Sequence, residues 1–353
     1  MVLQLERTST DDTGSGDTAT GWRIPRGFRA ISLSLLNGLT ELPCDVYLAT
    51  NGHAILYTTV GSDAAEVVRR MDGLAHVLIR AEDHDLFRRF LAAGLRGVLT
   101  DVRLAPLERS RRAYAITTEV VSPLFALRGD IDRDGLAVTQ EVVDALTGTL
   151  IEGNDMVWSI VATMQKHLTT HTHAINTAIY AVVLAQHLHV KEHEDVLDTG
   201  RGALLHDIGK TRISERILDK PGSLSKSEWK VIQGHPMTGI QLVTRALGFV
   251  PGYGHIIAEH HERADGSGYP GGRRSSQVAL DSQLVAIVDA FDAITSARSY
   301  KPASTPFEAL RTMRFDMAGQ FNDEILQEFI GLLGGWQELR KGDLRDLGAL
   351  GAC

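Results

Sequence analysis

Fourteen histidines are spread along the 353-residue chain, and several stand beside carboxylates in patterns that could hold divalent metal ions. His173, His206, His235, His260 and His261 form the group of interest, with His171 in reserve. A single histidine on a helix is more often a satisfied or exposed residue than a ligand, and His167, His187, His189 and His193 are read that way. Imidazole nitrogens combined with carboxylate oxygens suit Fe, Mn, Zn and similar divalent ions. His206-Asp207 follows the apolar run Ala203-Leu204-Leu205, so two polar groups enter what would otherwise be core and need strong partners. A carboxylate there can bridge two metals, holding ions about 4 Å apart for an in-line displacement. Lys210, three residues on, shares the same face if the turn continues, with its charge toward a substrate phosphate. The competing reading of His206-Asp207-Ile208-Gly209-Lys210 is a helix end closed by Gly209 and a terminal lysine. Taken alone, the two readings balance.

A second cluster breaks the tie. His260-His261-Glu262 is followed by Asp265-Gly266-Ser267-Gly268-Tyr269-Pro270-Gly271-Gly272. Adjacent histidines point to different sides of a helix, which makes a structural role for both awkward, and the glycines permit close backbone approach. Asp289 and Asp292 stand three apart in the otherwise apolar run 284–294, where burying a carboxylate without a metal or cation is costly. Helix dipole or surface exposure excuses Asp292 more easily than Asp289.

These residues sit in a stretch whose apolar spacing is helical nearly throughout. Segments 154–165, 173–188, 193–206 and 225–246 all carry the helical period. Ser225 with Glu228 reads as a capping box, and Thr305-Pro306 places proline at a first helical position before Glu308. An all-α domain over 139–353 is expected. Ahead of it, 23–126 shows short strand-like runs at 45–49 and 54–60 joined by Asn51-Gly52, a hairpin signal. A third strand at 75–79 lies between helical stretches 64–71 and 85–93, giving a small α/β domain. A linker is expected at 127–138, and residues 1–22, polar and low in complexity, read as a flexible tail. The expected fold is α+β overall: the small α/β domain followed by the all-α one.

Composition narrows the function classes. With 36 basic against 44 acidic residues the net charge is −8, a poor match to long nucleic acid, although a small anionic ligand remains compatible. Hydrophobic residues at 43% and charged residues at 23% are those of a folded globular chain. Cys44 and Cys353 are too few for a disulfide framework or a thiolate metal cluster. No apolar run has the length of a membrane span, and the first twenty residues lack the apolar core of a signal peptide, so a cytoplasmic location is expected.

Taken in order, the strings LLHDIGK at 204–210, ILDKPGSLSKSEW at 217–229, HP at 235–236, HHERADGSGYPGG at 260–272 and VDAFDAITSARSY at 288–300 resemble the HD-GYP family, a branch of the HD phosphohydrolases, over 150–334. The resemblance implies a helical domain that hydrolyses cyclic di-GMP to pGpG, and further to GMP in many members, at a site of two or three metals. It implies metal ligands at His173, His206, Asp207, His235, His260, His261 and Asp289, with Asp207 bridging. His173 is preferred to His171 because His173-Ala174-Ile175-Asn176 matches the family's pattern of His with Asn three later. Lys210 and Asp207 carry the catalytic roles, and Lys210, Tyr269, Arg298 and Lys301 the substrate contacts. Two divalent ions are implied, Fe or Mn, with Ni or Zn open. A diguanylate cyclase (GGDEF) or another signalling protein is an implied partner, and a homodimer is left open.

Two departures from the family pattern stand out. Thr169 occupies the position where trinuclear members carry Glu, which favours two metals. Asn322-Asp323 stands where the family usually has Asp-Pro. In such a site a hydroxide bridging the metals attacks phosphorus in line, and the sugar 3′-oxygen leaves. The alternatives are pGpG or a mixed cyclic dinucleotide as substrate, a general HD nucleotidase, and a catalytically silent module that binds nucleotide or a partner protein. The front domain shows no receiver-type acidic pocket and is expected to act as a sensor, a dimerisation module or a lid.

Overall fold

The computed structural model describes residues 24–334, apart from 38, 72, 153, 165–168, 189–192 and 297–302. The expected tail at 1–22 therefore lies outside the described residues. The chain divides into two compact units, Met1–Gly94 and Leu95–Cys353.

The first unit carries strands β1 (Phe28–Ser32), β2 (Val46–Thr50), β3 (His53–Thr58) and β4 (His76–Arg80). They form one sheet in the order β1-β4-β2-β3, antiparallel at every pairing, including the β2–β3 hairpin expected at Asn51-Gly52. In the hairpin of β2 and β3, Asn51 and Gly52 take φ values of 50° and 77°. Two successive left-handed residues match the twist of the flanking strands. Strand β1 was not foreseen; Phe28-Arg-Ala-Ile-Ser is short and buries only Ile31 fully. Helix α1 (Ala64–Arg70) begins at Asp63, whose carboxylate accepts the Glu66 N–H at 2.9 Å. Helix α2 (His84–Thr100) is longer than the expected 85–93, and the division between the units falls within it.

The second unit is helical among its described residues. Helix α3 (Pro106–Ala126) belongs to it and not to the front domain, because Ala113, Ile116, Val120, Val121 and Leu124 are buried and it packs on α5 (Asn154–Thr163) and α6 (Thr170–His187). The charged stretch expected as a domain linker is thus a short connection from α3 to α4 (Arg133–Glu152), and the units part at Gly94–Leu95 instead. Helix α6 is central, buried on nearly every side from Thr172 to Ala185 and packed against α3, α4, α7 (His193–Leu205) and α12 (Leu280–Thr295). Such a helix needs apolar residues nearly all round. Thr169 caps it, exchanging hydrogen bonds with Thr172.

After α7 the chain runs through a 3₁₀ turn, Ile208–Arg212, and the single turn α8 (Glu215–Leu218). The stretch 225–246, read as one helix, is two: α9 (Lys226–Gln233) and α10 (His235–Leu247). Gly234 ends the first and Pro236 stands in the first turn of the second, where its missing N–H costs nothing. The capping boxes at Ser225/Glu228 and Thr305/Glu308 both form. Helix α11 (Gly254–Glu259) precedes the glycine-rich loop, and α13 (Pro306–Arg311) runs into one turn of π-helix, Thr312–Asp316. The last described helix, α14, spans 323–334. Asn322 caps it, its side-chain oxygen accepting the Glu324 and Ile325 N–H groups at 3.1 and 3.4 Å. That explains the departure at Asn322-Asp323: Asp-Pro and Asn-Asp are both cap followed by first helical residue.

Candidate metal centre

Five helices bring the chemistry together, two through residues within them and three through their ends. His173 lies in the first turn of α6, and Asp289 and Asp292 lie one turn apart near the end of α12. His206 and Asp207 follow the end of α7, His235 opens α10, and His260 and His261 follow α11. The two adjacent histidines leave a helix end and do not point to opposite sides of a helix; their rings lie 4.1 Å apart at 43°.

Three of these histidines have their ring orientation set by backbone. Nδ1 of His206, His235 and His260 lies 2.6, 2.7 and 3.0 Å from the carbonyls of Ala203, Ile232 and Ile257, each three residues earlier. A carbonyl can only accept, so each Nδ1 carries its proton and each Nε2 lone pair is turned inward. His173 is held in the same sense by a carboxylate: its Nδ1 donates to Asp292 at 2.7 Å, and Nε2 lies 2.9 Å from Asp289. Asp292 also accepts from Asn176 Nδ2 at 3.0 Å, and Asn176 accepts from the Tyr114 hydroxyl at 2.9 Å.

Asp292 is 3% exposed, so the reading that left it to solvent or helix dipole is corrected. It lies on the inner face one turn past Asp289 and aims the His173 ring. Its place three residues after Asp289 was the available signal.

The inward donors fall into two groups, Asp207 with His235, His260 and His261, and His173 with His206 and Asp289. Asp207 faces both. Its Oδ1 lies 3.1 Å from His235 Nε2 and 3.8 Å from His260 Nε2, while Oδ2 lies 3.4 Å from His206 Nε2 and 3.8 Å from His173 Nε2. Each carboxylate oxygen thus turns to a different group. Lys210 Nζ reaches Oδ2 at 2.5 Å from a position one-quarter exposed.

The residues fit divalent cations. His206 Nε2 and Asp207 Oδ1 are buried without a hydrogen-bond partner among the described residues, a costly state for polar atoms unless a cation satisfies them. His235 Nε2 and His260 Nε2 face each other at 3.2 Å with both Nδ1 protons already committed, which sets two lone pairs against one another. Burial, then the neighbouring His261, His206 and His235, holds His260 well below the usual imidazole range, so it stays neutral and able to ligate. Burial opposes ionisation of Asp207, but Lys210 and His206 override it and hold the carboxyl well below its ordinary value. Asp289 is lowered likewise against burial by His173, and the His173 imidazole, against burial, is pushed up to about 10 by Asp289 and Asp292.

Gly209 does not close a helix with left-handed backbone. A Cβ there would stand 2.0 Å from the His235 carbonyl oxygen and 2.7 Å from the Gly239 nitrogen. Only glycine lets the turn carrying Asp207 and Lys210 lie directly on the backbone of α10.

Beyond the donors, the glycine-rich loop makes a wall. The Tyr269 N–H donates to the His261 carbonyl at 3.1 Å, and its ring lies 4.7 Å from the His261 ring. Glu262, expected only as part of the HHERADGSGYPGG string, is 4% exposed and accepts the Gly271 and Arg273 N–H groups at 2.6 and 2.8 Å, pinning the loop. Arg298 and Lys301 lie outside the described residues. Thr169 is engaged in capping α6, and His171 stands beside it, its ring 3.2 Å from the Thr169 hydroxyl.

The HD domain family matches residues 155–325. The chain is 28% identical over 236 residues to cyclic di-GMP phosphodiesterase PA4108 of Pseudomonas aeruginosa, covering 66% of this chain and 56% of that protein. It is 41% identical over 131 residues to the cyclic di-GMP phosphodiesterase response regulator RpfG of Xanthomonas campestris, covering 37% and 34%. It is 35% identical over 144 residues to 3′3′-cGAMP-specific phosphodiesterase 3 of Vibrio cholerae, covering 41% and 31%. The chain therefore spans between 31% and 56% of the length of these relatives. The solved structure of Bd1817, an HDG"Y"P protein from Bdellovibrio bacteriovorus, shares the fold with a TM-score of 0.64 at 19% identity, covering 87% of this chain and 99% of that one. Among the described residues no helix is long and apolar enough to cross a membrane.

Proposed function

We propose that this chain, which belongs to the HD-GYP family of HD domains, hydrolyses a phosphodiester bond of a cyclic dinucleotide, with cyclic di-GMP as the first candidate and pGpG, then GMP, as products. The observation that carries the reading is Asp207, whose two oxygens turn toward two separate groups of inward-facing donors. His235, His260 and His261 would hold one divalent ion, His173, His206 and Asp289 the other, and Asp207 would bridge them. Fe or Mn suits this set of imidazoles and carboxylates, and Ni or Zn shares the same ligand types. Bound there, two such ions supply an activated water and neutralise charge on the phosphate and on the leaving oxygen.

The remaining work falls to the chain's own groups. Asp292 and the three backbone carbonyls keep the imidazoles aimed, so little reorganisation is left for the reaction. Lys210, paired with Asp207 and one-quarter exposed, places positive charge at the edge of the centre, where a phosphate oxygen would arrive. Tyr269 walls the substrate side, and Arg298 and Lys301 are expected to contact the phosphates. The domains are assigned as the sheet-bearing front unit, in a sensing, dimerising or covering role, and the helical phosphodiesterase unit.

A second reading keeps the chemistry and changes the base: 3′3′-cGAMP is as compatible, because a relative named for it matches at 35% identity. The testing experiment reconstitutes the chain anaerobically with Fe(II) or Mn(II), counts metal per chain and follows cyclic di-GMP, 3′3′-cGAMP and pGpG. Turnover with about two metals, lost in Asp207→Ala, supports the reading. Metal binding with none of the three turned over would transfer the site to another substrate or to a nucleotide- or partner-binding module.

A further inference from the structure

Trp229 is the exposed aromatic next to the candidate centre, and its position is tied to that centre through two routes. It lies on α9, leaving 46% of its surface exposed, a large apolar area for a soluble face. Its ring meets Tyr269 edge to face, with centroids 6.1 Å apart at 78°. Tyr269 in turn lies 4.7 Å from His261 and 6.4 Å from His235. An aromatic shelf therefore runs from solvent to the donors Asp207 faces.

Both ends of the shelf are anchored. The carbonyl of Ile232, in the last turn of the helix that carries Trp229, accepts the Nδ1 proton of His235. On the other side Glu262 pins the loop that carries Tyr269. Neither ring needs to be gathered on binding, which removes an ordering cost from whatever stacks there.

We infer that Trp229 is a base platform: it stacks one nucleobase of the dinucleotide while the adjoining phosphate lies over the donors of Asp207, His235, His260 and His261. This inference rests on the proposed cyclic-dinucleotide reading. The base of a nucleotide is separated from its phosphate by one sugar, so a ring two contacts away from the donors is suitably placed. An indole offers the widest face of any side chain, and base–aromatic stacking tolerates every base because each has a π-face. The platform is expected to retain adenine- and guanine-containing dinucleotides alike, leaving discrimination between them to other groups.

The experiment compares wild type, Trp229→Ala and Trp229→Phe, all metal-loaded, with cyclic di-GMP and 3′3′-cGAMP as substrates and bis(p-nitrophenyl) phosphate as a phosphodiester without nucleobases. The expected result for Trp229→Ala is a rise in KM on the order of ten- to a hundredfold for both dinucleotides. Its kcat, metal content and turnover of the nitrophenyl ester should stay close to wild type, and Trp229→Phe should recover most of the loss. An unchanged KM in Trp229→Ala, with wild type turning over the dinucleotides, overturns the platform and leaves the phosphodiesterase reading standing. If wild type neither binds nor hydrolyses any cyclic dinucleotide while still cleaving the nitrophenyl ester, the substrate reading fails and takes the platform with it.

Discussion

Asp292 holds the outer nitrogen of His173 at 2.7 Å, so the inner nitrogen of that ring faces Asp289 and the candidate centre. The carboxylate acts through the imidazole, and its second oxygen is occupied by Asn176. Asp292→Ala is expected to weaken metal binding about 10- to 100-fold, with Asp292→Asn falling between because its amide oxygen still accepts the Nδ1 proton. Competition against a chelator of known affinity measures this, and equal affinities in wild type and the alanine variant would sink the assignment.

Glu262 gives a different signature because it holds a loop and no donor. Glu262→Ala leaves two backbone N–H groups without their protein acceptor; both belong to exposed residues, so water can replace it and the loop loosens. The expected outcome is a raised KM with metal content close to wild type. Loss of metal in step with activity would instead place Glu262 in the support of His260 and His261.

Away from the centre, His255 and Asp281 join α11 to α12, with Nε2 2.9 Å from Oδ1 and Nδ1 donating to the Gly252 carbonyl at 2.8 Å. The pairing with buried Asp281, reinforced by the charge of Glu259, raises the imidazole above its ordinary value against partial burial. A raised histidine contributes stability that is fully present below its unfolded pKa near 6.5 and is lost as pH rises through the folded value. His255→Gln should therefore narrow its deficit from wild type as pH rises above the unfolded value near 6.5, read as melting temperature of metal-loaded protein. Parallel pH profiles would remove the pair from the stability account.

Gly209→Ala tests the seating of the Asp207 turn on α10. The new methyl meets backbone, which cannot swing aside, so destabilisation of about 3 kcal/mol is expected, at the upper end for overpacking. Metal content should fall with it, since Asp207 and Lys210 ride on the displaced segment. A variant that melts and binds metal as wild type does would show that the contact relaxes freely.

Much of the donor set was legible because it sits in short strings: His206-Asp207, His260-His261 and the Asp289 turn each announce polar groups in apolar company. The pairing of residues across strings was not, since nothing local says that His173 meets Asp292 or that Asp207 faces two ways. Asp292 was misjudged because dipole and exposure arguments concern the helix it sits on, whereas its burial comes from α6. The break at Gly234 was hidden by continuous helical spacing on both sides, and Pro236 was the overlooked mark. In the front unit the Asn51-Gly52 hairpin was plain, but β1 has neither a turn signal nor strong alternation and owes its existence to pairing with β4. The charged run 128–135 imitated a linker because composition does not distinguish a domain boundary from a short turn between helices.

His173 and Asp289 are separated by 116 positions of chain. During synthesis the group of His173, His206 and Asp289 cannot be completed until α12 has emerged, and by then every histidine of the other group has already been made. An ion captured early would find Asp207, His235, His260 and His261 first and join residues no more than 54 positions apart. The entropy of loop closure grows slowly with length, so the later and longer closure is only modestly dearer than the earlier one. Order of assembly, rather than a large difference in closure cost, would set which half of the centre fills first on a growing chain.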